Sequence, residues 1–482
     1  MADVLFLNPP SPDGDIFIRD LCRVGRRSQE RVIWPQTCLA QLAAMVSARR
    51  SVEVLDCIAM GMTWDTLRHR LESQPPRFLV THVTAPTLTN DLYATILAKT
   101  VGAATIAFGT HVTPLARQTL ETFPSLDFVI RGEPERTLRE LVDALSADRA
   151  EDVLVSCTEV ETLSSIRGLA YRRDGEVVIT GDRPLGDLND LPLPLHHLLP
   201  LEHYRMPLVR GNYAFVTTSR GCPARCTFCI KHVMWQNSVR LRAPERILEE
   251  VRLLMSLGVR NVHFEADLFT VNREQVEGIC RAILEEGLSI RWTCNSRVDT
   301  VDPELLSLMK EAGCWMISWG IESACPRVLQ RAKKGITPAK AERALRWSRA
   351  AGIGNWGYFI IGLPGETEES IAQTTRFAKT LPLDLALFHV AVPYPGTPFY
   401  YEALEKGWLT MERWEDYDMT ASTVLGYPGL SSDRLVEASR QATRAWSLRP
   451  GPMWTFVRAA AHPSNWKSLW RIGRQQLNWM RG

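Results

Sequence analysis

Residues 215–232 read Phe-Val-Thr-Thr-Ser-Arg-Gly-Cys-Pro-Ala-Arg-Cys-Thr-Phe-Cys-Ile-Lys-His, a strand followed by a loop with three cysteines. Cys222, Cys226 and Cys229 form a C-x3-C-x2-C array after an apolar, β-branched run, Ala214 to Thr218, which predicts the strand. Cysteines this close together on a loop that contains glycine and proline favour a metal centre. A structural zinc site takes four protein ligands, and no fourth Cys or His follows at a suitable spacing. Three thiolates suit an iron–sulfur cluster with one iron open to a small ligand; a zinc loop and a chance group of buried thiols are the alternatives.

The composition is that of a soluble globular protein. The 482 residues are 45% hydrophobic and 23% charged, which suits two or three domains. The formal net charge of +2 gives no indication of a nucleic-acid partner. Apart from the group of three, the eleven cysteines are scattered, so we expect a metal site in a reducing cytoplasm rather than a disulfide framework. The N-terminus lacks signal-peptide features, and no apolar stretch reaches the ~18 residues of a transmembrane helix.

Residues 1–145 alternate short apolar strands with helices of about ten residues, which predicts a parallel, doubly wound, Rossmann-like sheet. Strands are predicted at residues 4–8, 52–56, 78–83, 104–109 and 128–130, and helices at residues 38–48, 63–72, 88–100, 115–122 and 135–145. Ligands of such sheets lie at the carboxyl ends of the strands. The loops at these ends are rich in Gly, Thr and Pro, which predicts a nucleotide-like or cofactor ligand along this edge.

Residues 146–204 are predicted to be a linker, and residues 205–400 a second series of strands and helices. The linker contains a hairpin over residues 166–180 and a proline-rich segment, residues 187–200. The second series has six strand–helix units, which predicts a partial (β/α)6 barrel with its active residues at the carboxyl ends of the strands. Residues 401–482 are predicted to form a C-terminal helical region.

Two basic stretches have more than one interpretation. From Ala438 onward the chain carries eight Lys or Arg, no Asp or Glu, and five tryptophans. A helix of this kind suits a membrane surface or packing against the barrel, and we favour packing. The arginine-rich stretch from Arg19 to Arg31 suits the steering of an anionic substrate or a solvent-facing position, and both readings stay open.

The cysteine loop, with Phe228 before its last cysteine, resembles the signature of radical S-adenosylmethionine (SAM) enzymes. In that family three cysteines, here Cys222, Cys226 and Cys229, hold a four-iron four-sulfur cluster, and the amino and carboxylate groups of SAM chelate the fourth iron. Segments 264–270, 320–323 and 357–365 resemble the SAM-contacting strand ends of the family. The resemblance implies SAM contacts at Phe228, Glu265, Asp267, Ser296, Arg297, Glu322, Ser323, Gly362 and Pro364. Arg297 can fork onto the carboxylate of SAM, and Glu322 with Ser323 can hold its ammonium group or ribose hydroxyls.

The loops of residues 1–145 resemble the cobalamin-binding domain that precedes the radical SAM domain in one large subfamily. That domain often carries D-x-H-x-x-G after its second strand, where the histidine ligates cobalt; this chain has Asp56 and Gly61 but Ile58 in place of the histidine. The resemblance therefore implies cobalamin without a protein histidine ligand; a retained fold that no longer binds cobalamin is the alternative. Residues implied to contact cobalamin are Asp56, Ile58, Gly61, Thr84, Gly109, Thr110, His111, Gly132 and Glu133. Residues 33–37 resemble the N-terminal segment of enzymes related to the anaerobic magnesium-protoporphyrin ester cyclase.

The resemblance implies an enzyme that uses a 5′-deoxyadenosyl radical, with electrons from a flavodoxin- or ferredoxin-type donor. The leading hypothesis is methylation of an unactivated carbon of a small molecule, such as a natural product, tetrapyrrole or lipid, with methylcobalamin as donor. Cyclisation or rearrangement without methyl donation is the first alternative. Methylthiolation of transfer RNA would need a second cysteine trio, and Cys22, Cys38 and Cys57 are too dispersed for one. A noncatalytic iron–sulfur or cobalamin-binding protein is the alternative from another class.

Overall fold

The computed structural model describes residues 2–21, 24–147, 162–206, 209, 211–410, 413–453 and 473. The chain divides into two compact units, and each is made of several chain segments. The first unit comprises Met1–Gly25, Trp34–His203 and Ile230–Gln236, and the second comprises Arg26–Ile33, Tyr204–Cys229 and Asn237–Gly482. Four of the five tryptophans counted in the basic C-terminal stretch lie outside the described residues, so their predicted role stays a prediction.

Strands and helices alternate along most of the described chain. The strands are β1 (Val4–Asn8), β2 (Phe17–Ile18), β3 (Arg26–Arg27), β4 (Val52–Asp56), β5 (Phe78–His82), β6 (Ala104–Phe108), β7 (Phe128–Ile130), β8 (Leu169–Arg173), β9 (Glu176–Ile179), β10 (Tyr213–Thr217), β11 (Ser219–Gly221), β12 (Val239–Leu241), β13 (Asn261–Glu265), β14 (Arg291–Ser296), β15 (Cys314–Glu322), β16 (Gly354–Ile361) and β17 (Leu385–Val390). The helices are α1 (Thr37–Val46), α2 (Cys57–Met60), α3 (Trp64–Ser73), α4 (Leu88–Thr100), α5 (Ala116–Thr122), α6 (Pro134–Ala147), α7 (Lys231–Trp235), α8 (Pro244–Ser256), α9 (Arg273–Glu285), α10 (Pro303–Glu311), α11 (Pro326–Arg331), α12 (Pro338–Ala350), α13 (Glu368–Thr380), α14 (Pro398–Glu405) and α15 (Ser432–Ser447). None of the described helices is both long and apolar enough to cross a membrane.

The first unit is built on one sheet with the strand order β4-β1-β5-β6-β7-β8-β9. The strands from β4 to β7 run parallel, as expected when helices connect consecutive strands. Buried leucines of β1, β4 and β5 form a core with the apolar faces of α3 and α4, while α1 contacts β1, β4 and α6. The predicted Rossmann-like fold is confirmed, and its predicted elements lie within two residues of the observed ones.

The hairpin predicted inside the linker belongs to the sheet of the first unit. β8 pairs antiparallel with β7, and β9 pairs antiparallel with β8, so the hairpin extends the parallel sheet at one edge. Asp174 and Gly175 form its turn with positive φ angles of 50° and 84°, as the hairpin chemistry requires. Residues 162–203 are therefore part of the first unit rather than a separate linker.

The second unit contains a six-stranded parallel sheet with the order β10-β13-β14-β15-β16-β17. This sequential order and the intervening helices agree with the predicted partial (β/α)6 barrel. One face of the sheet is covered by helices: Trp292 donates to the Ala312 carbonyl after α10, and Asn355 donates to Leu345 in α12. Ser439 of α15 donates to the Phe388 carbonyl of β17. The opposite face, which we call the inner face, carries the alternate residues of each strand.

A polar network begins the inner face. His263 of β13 contacts Thr293 of β14 through Nδ1 at 2.7 Å, and its Nε2 contacts the Asn295 amide at 3.2 Å. The ring of Phe215 in β10 lies 5.1 Å from the ring of His263. These polar groups satisfy one another within the unit, so this part of the inner face is polar.

Candidate active site

Hydrogen bonds fix the cysteine loop before its first cysteine and between its second and third cysteines. It follows Gly221, which has φ +90° and whose position leaves no room for a side chain, since a Cβ would lie 1.9 Å from the Ser238 carbonyl oxygen. The N–H of Gly221 donates to the Asp267 carboxylate at 2.7 Å. Further along the loop, Thr227 donates to Ala332 at 3.1 Å, and Thr227 accepts from Phe399 at 3.0 Å. The chain thus holds the loop in place between the ends of several strands and helices.

Two of the three thiols lie beside two cationic side chains. Cys222 and Cys226 are buried, and both interact electrostatically with Arg297. Burial raises the pKa of the Cys226 thiol, whereas Lys334 and Arg297 act to lower it. Positive groups of this kind stabilise the thiolate form that binds metals.

Lys334 forms a buried ion pair with Glu322. Its Nζ lies 2.7 Å from Glu322 Oε1, and the two side chains are 7% and 8% exposed. Burial opposes the charge of Lys334, but Glu322 and Cys226 outweigh burial, so the pKa of Lys334 is raised. Glu322 has φ +65°, an uncommon conformation for a residue with a side chain. A Cβ on Gly320 would lie within 2.8 Å of both charged groups, so a larger residue there would have to displace the ion pair.

Arg297, predicted to fork onto SAM, already uses its fork inside the protein. Its Nε and NH2 bind the two oxygens of Asp299 at 2.9 and 2.8 Å, and NH2 also donates to the Lys334 carbonyl at 2.9 Å. The guanidinium group of Arg297 therefore supplies positive charge near Cys222 and Cys226, and its hydrogen bonds to Asp299 and Lys334 orient its plane. Contact of Arg297 with the carboxylate of SAM stays a prediction, and it would have to share the guanidinium group with Asp299.

Several other predicted SAM residues are also engaged in local bonds. Ser296 Oγ contacts Thr270 Oγ1, and Ser323 Oγ contacts Thr374 Oγ1 at 3.1 Å. Ser323 Oγ also accepts from the Cys325 N–H at 3.1 Å. These two serines shape the strand ends, and their predicted contact with SAM stays a prediction. Glu265 is buried at the end of β13, where its carbonyl accepts from Thr218, and Phe228 is half-buried on the loop.

The Gly362–Gly365 segment forms a tight turn after β16. Gly362 has φ +98°, and its N–H donates to Glu366 Oε2 at 2.7 Å. Its carbonyl accepts from the Tyr427 hydroxyl at 2.8 Å. Glu366 is buried, and burial raises its pKa to about 7 despite the bonds from Gly362 and Ser370. Pro364 is buried within this turn, so its predicted approach to SAM stays a prediction.

In the first unit, a buried network links two residues predicted to contact cobalamin, Asp56 and Thr84. Asp56 caps α2 by accepting from the Ala59 N–H at 3.1 Å, and it accepts from Asn8 at 2.7 Å. Asn8 in turn accepts from Arg19 at 3.0 Å, and Arg19 pairs with Asp91 at 2.5 Å.

The same network continues from Asp91 to the loop after β5. Asp91 accepts from Thr87 at 2.6 Å, and the hydroxyls of Thr87 and Thr84 lie 2.9 Å apart. Arg19 is fully buried, so it neither faces solvent nor is placed to steer a substrate from outside. The network connects buried polar groups along the carboxyl ends of the strands in this sheet.

The remaining predicted cobalamin residues occupy the loops at the same edge. Gly109 has φ +140° and passes so close to Val83 and His82 that a Cβ would overlap them. Gly132 donates to Thr113 Oγ1 at 3.2 Å, and Gly61 ends α2 with φ +63°. Thr110 and His111 are buried, and burial lowers the pKa of His111 to about 3. Ile58 and Glu133 are half-buried; whether these residues contact cobalamin stays a prediction.

The cysteine loop fits the donor set of a four-iron cluster. Within the part of the chain that is described, no three His, Cys, Asp or Glu side chains converge on a point that could hold a single metal ion. A cubane cluster does not require such convergence, because each thiolate binds a different iron. Two buried thiols near two cations, on a loop with a third cysteine, are the chemistry that an anionic thiolate-held cluster needs.

Comparison with known proteins places this chain in a family. Residues 216–378 match the radical SAM superfamily. An uncharacterized methyltransferase from Pyrococcus horikoshii is 34% identical over 420 residues, which cover 86% of this chain and 88% of that protein. The chain belongs to the radical SAM superfamily. It is therefore a radical SAM enzyme whose cofactors are SAM and a four-iron four-sulfur cluster, and which depends on an electron donor.

Two further relatives extend over both units. The anaerobic magnesium-protoporphyrin IX monomethyl ester cyclase of Cereibacter sphaeroides is 28% identical over 379 residues, which are 77% of this chain and 60% of the cyclase. The radical SAM methyltransferase TsrM from Kitasatospora setae, solved with cobalamin and a [4Fe-4S] cluster bound, superposes with a TM-score of 0.67. That comparison covers 98% of this chain and 89% of TsrM at 18% identity, so it concerns the fold.

Sequence patterns did not point to Lys334. It lies in a charged segment after α11 that is typical of solvent-exposed surface. In the structure, burial alternates along this segment: Ala332, Lys334 and Ile336 are buried, while Lys333 and Gly335 between them are exposed. The sequence signal that could have found Lys334 is its spacing of two residues from the apolar Ala332 and Ile336, which predicts a buried lysine that needs an acidic partner.

Proposed function

We propose that this protein is a cobalamin-dependent radical SAM enzyme that methylates an unactivated carbon of a small-molecule substrate. The observation that carries the proposal is the three-cysteine loop at the carboxyl ends of a parallel sheet, with Lys334 and Arg297 beside two of its thiols. The Rossmann-like sheet of the first unit, with its Gly- and Thr-rich loops, supports a second cofactor. The similarity to an archaeal methyltransferase and to the fold of a cobalamin-bound methyltransferase supports the same reading.

The residues of the second unit hold, charge and enclose the reaction centre. Cys222, Cys226 and Cys229 are the ligands of the cluster. Lys334 and Arg297 supply positive charge where an anionic thiolate-held centre and the carboxylate of SAM need it, and Glu322 and Asp299 keep these cations in position. When bound, the cluster and SAM supply a radical that removes a substrate hydrogen atom, and methylcobalamin supplies the methyl group.

The first unit holds the second cofactor by shape and polar contacts. Asp56 and Thr84 are joined through Asn8, Arg19 and Asp91, so buried polar contacts connect the loops at this edge. Ile58 stands where many related domains have histidine, so this loop would offer no imidazole ligand to a bound cobalamin. Electrons would reach the cluster from a flavodoxin- or ferredoxin-type protein.

A first experiment measures metals and cofactor chemistry on anaerobically purified, reconstituted protein. We expect about four irons per chain, one cobalt, and formation of 5′-deoxyadenosine from SAM with reductant. The Cys226→Ala variant should lose iron and 5′-deoxyadenosine together, whereas Cys280→Ala, which removes a buried thiol from α9 outside the loop, should keep both. Iron-loaded protein that yields no 5′-deoxyadenosine with any candidate substrate would refute the enzymatic proposal.

Cyclisation or rearrangement without methyl donation is the second candidate function. The 28% identity to a magnesium-protoporphyrin ester cyclase over 77% of this chain favours it. Product mass separates the two candidates: methylation adds about 14 Da because a methyl group replaces the abstracted hydrogen atom. Iron without cobalt in the purified, reconstituted protein would favour cyclisation or rearrangement over methylation.

A further inference from the structure

The inner face of the second unit carries a row of aromatic rings on its last two strands. Trp356 and Tyr358 are two positions apart in β16, so their side chains lie on the same face, and their ring centroids are 5.6 Å apart. The Tyr358 ring stacks against His389 of β17 at 6.0 Å with an interplanar angle of 24°. On the opposite side of the same strands, Phe359 and Phe388 stack beneath the helices. The row of Trp356, Tyr358 and His389 therefore belongs to the side that helices leave uncovered.

Two polar atoms of this aromatic row are buried without a hydrogen bond. Among the described residues, neither Trp356 Nε1 nor His389 Nδ1 has a hydrogen-bond partner. His389 is 5% exposed, and burial together with Arg26 lowers its pKa to about 3. At neutral pH the imidazole is therefore uncharged, with one N–H donor and one bare nitrogen. Buried donors that lack a partner cost stability, which is tolerated where a ligand completes them.

The charges beside the aromatic row are already balanced. Arg26 binds both oxygens of Glu30 at 2.6 and 2.9 Å, and these side chains are 11% and 13% exposed. Arg27 pairs with Asp418 at 3.4 Å, and its N–H also donates to that carboxylate. An anionic group placed here would have to displace a carboxylate from an arginine. The neighbourhood therefore favours an uncharged ligand.

We propose that the aromatic row binds an uncharged, flat, conjugated part of the substrate that carries carbonyl or hydroxyl oxygens. The flat part stacks on Trp356 and Tyr358, and its oxygens accept from Trp356 Nε1 and His389. This inference rests on the proposed function, since it names the substrate class of the same enzyme. The site should bind conjugated ring systems better than saturated polycyclic lipids, because saturated rings have no flat π face to stack on Trp356 and Tyr358.

Binding of two uncharged probes to the full-length, reconstituted protein tests the proposal. The first is 3-hydroxyflavone, a flat conjugated molecule with a carbonyl and a hydroxyl group. The second is hydrocortisone, a largely saturated molecule that also carries ketone and hydroxyl groups. Equilibrium dialysis should show binding of 3-hydroxyflavone with a Kd at least tenfold lower than that of hydrocortisone. Absence of 3-hydroxyflavone binding, or equal binding of both probes, would overturn the proposal.

Substitutions then locate the site. Trp356→Phe keeps a ring but removes the N–H, so it should raise the Kd for 3-hydroxyflavone about fivefold, the effect of one hydrogen bond. Trp356→Leu should raise it further because stacking is also lost, and His389→Phe should resemble Trp356→Phe. Trp347→Phe is the matched control, because Trp347 is half-buried on α12 beside Arg343, and it should leave the Kd unchanged. Equal Kd values for all four variants would place the probe elsewhere and refute the assignment.

A parallel assay separates this inference from the proposed function. Each protein is tested for SAM-dependent formation of 5′-deoxyadenosine with reductant and no probe. If wild-type protein forms it while the Trp356 and His389 variants bind the probe normally, only the aromatic-row assignment fails. If wild-type protein forms none, the proposed function fails, whatever the binding data show.

Discussion

The buried Glu322–Lys334 pair gives the sharpest test of the active-site architecture. Replacing Lys334 by Met removes the ammonium group but keeps most of the apolar stem, so Glu322 stays buried without its partner. Both side chains are less than a tenth exposed, and the pair distance is 2.7 Å. Breaking such a pair from one side costs about 3–5 kcal/mol in the free energy of unfolding. The double variant Glu322→Gln/Lys334→Met removes both charges and should recover at least about 2 kcal/mol of that loss.

The chain offers a matched control for this experiment in the same unit. Lys406 and Glu402 form a pair of nearly equal length, 2.8 Å, but their side chains are 42% and 27% exposed. Lys406→Met should therefore cost less than about 1 kcal/mol. Equilibrium urea unfolding of anaerobically prepared, cluster-free protein, followed by circular dichroism, compares the wild type with Lys334→Met, Glu322→Gln, their double variant and Lys406→Met. If Lys334→Met costs no more than Lys406→Met, or if the two substitutions at the buried pair are additive, the reasoning from burial is wrong.

Three further predictions concern backbone strain, pH and the first unit. Gly221→Ala should destabilise the protein by at least about 3 kcal/mol and prevent iron loading, because its positive φ is combined with an overlap between the new Cβ and the Ser238 carbonyl. The control Gly258→Ala also has a positive φ, +82°, but its Cβ would meet open space, so it should cost only about 1–2 kcal/mol and keep iron. Equal losses of stability in the two variants would contradict the steric argument. Burial raises the pKa of Glu366 to about 7, so its contribution to stability is full below the unfolded value near 4.5 and is lost as pH rises through 7, by about 3 kcal/mol. Thermal melts from pH 5 to 8 should show a flatter profile for Glu366→Gln, and an unchanged slope would count against this assignment. Arg19→Met should cost about 3–5 kcal/mol and reduce cobalamin retention, and Arg19→Met/Asp91→Asn should recover part of the stability; unfolding and cobalt analysis check both, and no recovery would mean that the network acts through more than this pair.

Local patterns in the sequence predict most of the longer strands and helices of both units. The β-branched run Val52–Asp56 ends at Asp56, whose side chain caps the next helix, and helices such as Pro338–Ala350 begin with a capping threonine and proline. The short helix α2 was not predicted, although Asp56 and Gly61 are its cap residues. A single turn has too few apolar positions to show a helical period.

The side-chain partners in the site could not be predicted in the same way. Arg297 was predicted to bind the carboxylate of SAM, and the sequence did not show that Asp299, two residues later, binds the same guanidinium group. Arg19 was left open between steering and solvent, but it pairs inside the first unit with Asp91, which is 72 residues away. Such contacts depend on how distant segments meet, and an isolated sequence shows only which groups are available. The cysteine loop was an exception because all three of its ligands are close together in the chain.

The aromatic row has a consequence for how the protein can be divided. Arg26 and Glu30, which lie beside Tyr358 and His389, come from an N-terminal segment that is flanked on both sides by chain of the first unit. Similarly, Ile230–Gln236 of the first unit directly follows the cysteine loop of the second. A fragment that starts at residue 204 would thus lack a charged pair of its own substrate face and carry an orphaned piece of the other unit. Each unit is built from segments that alternate along the chain, so exchanging one contiguous half of the gene cannot transfer a new substrate specificity intact.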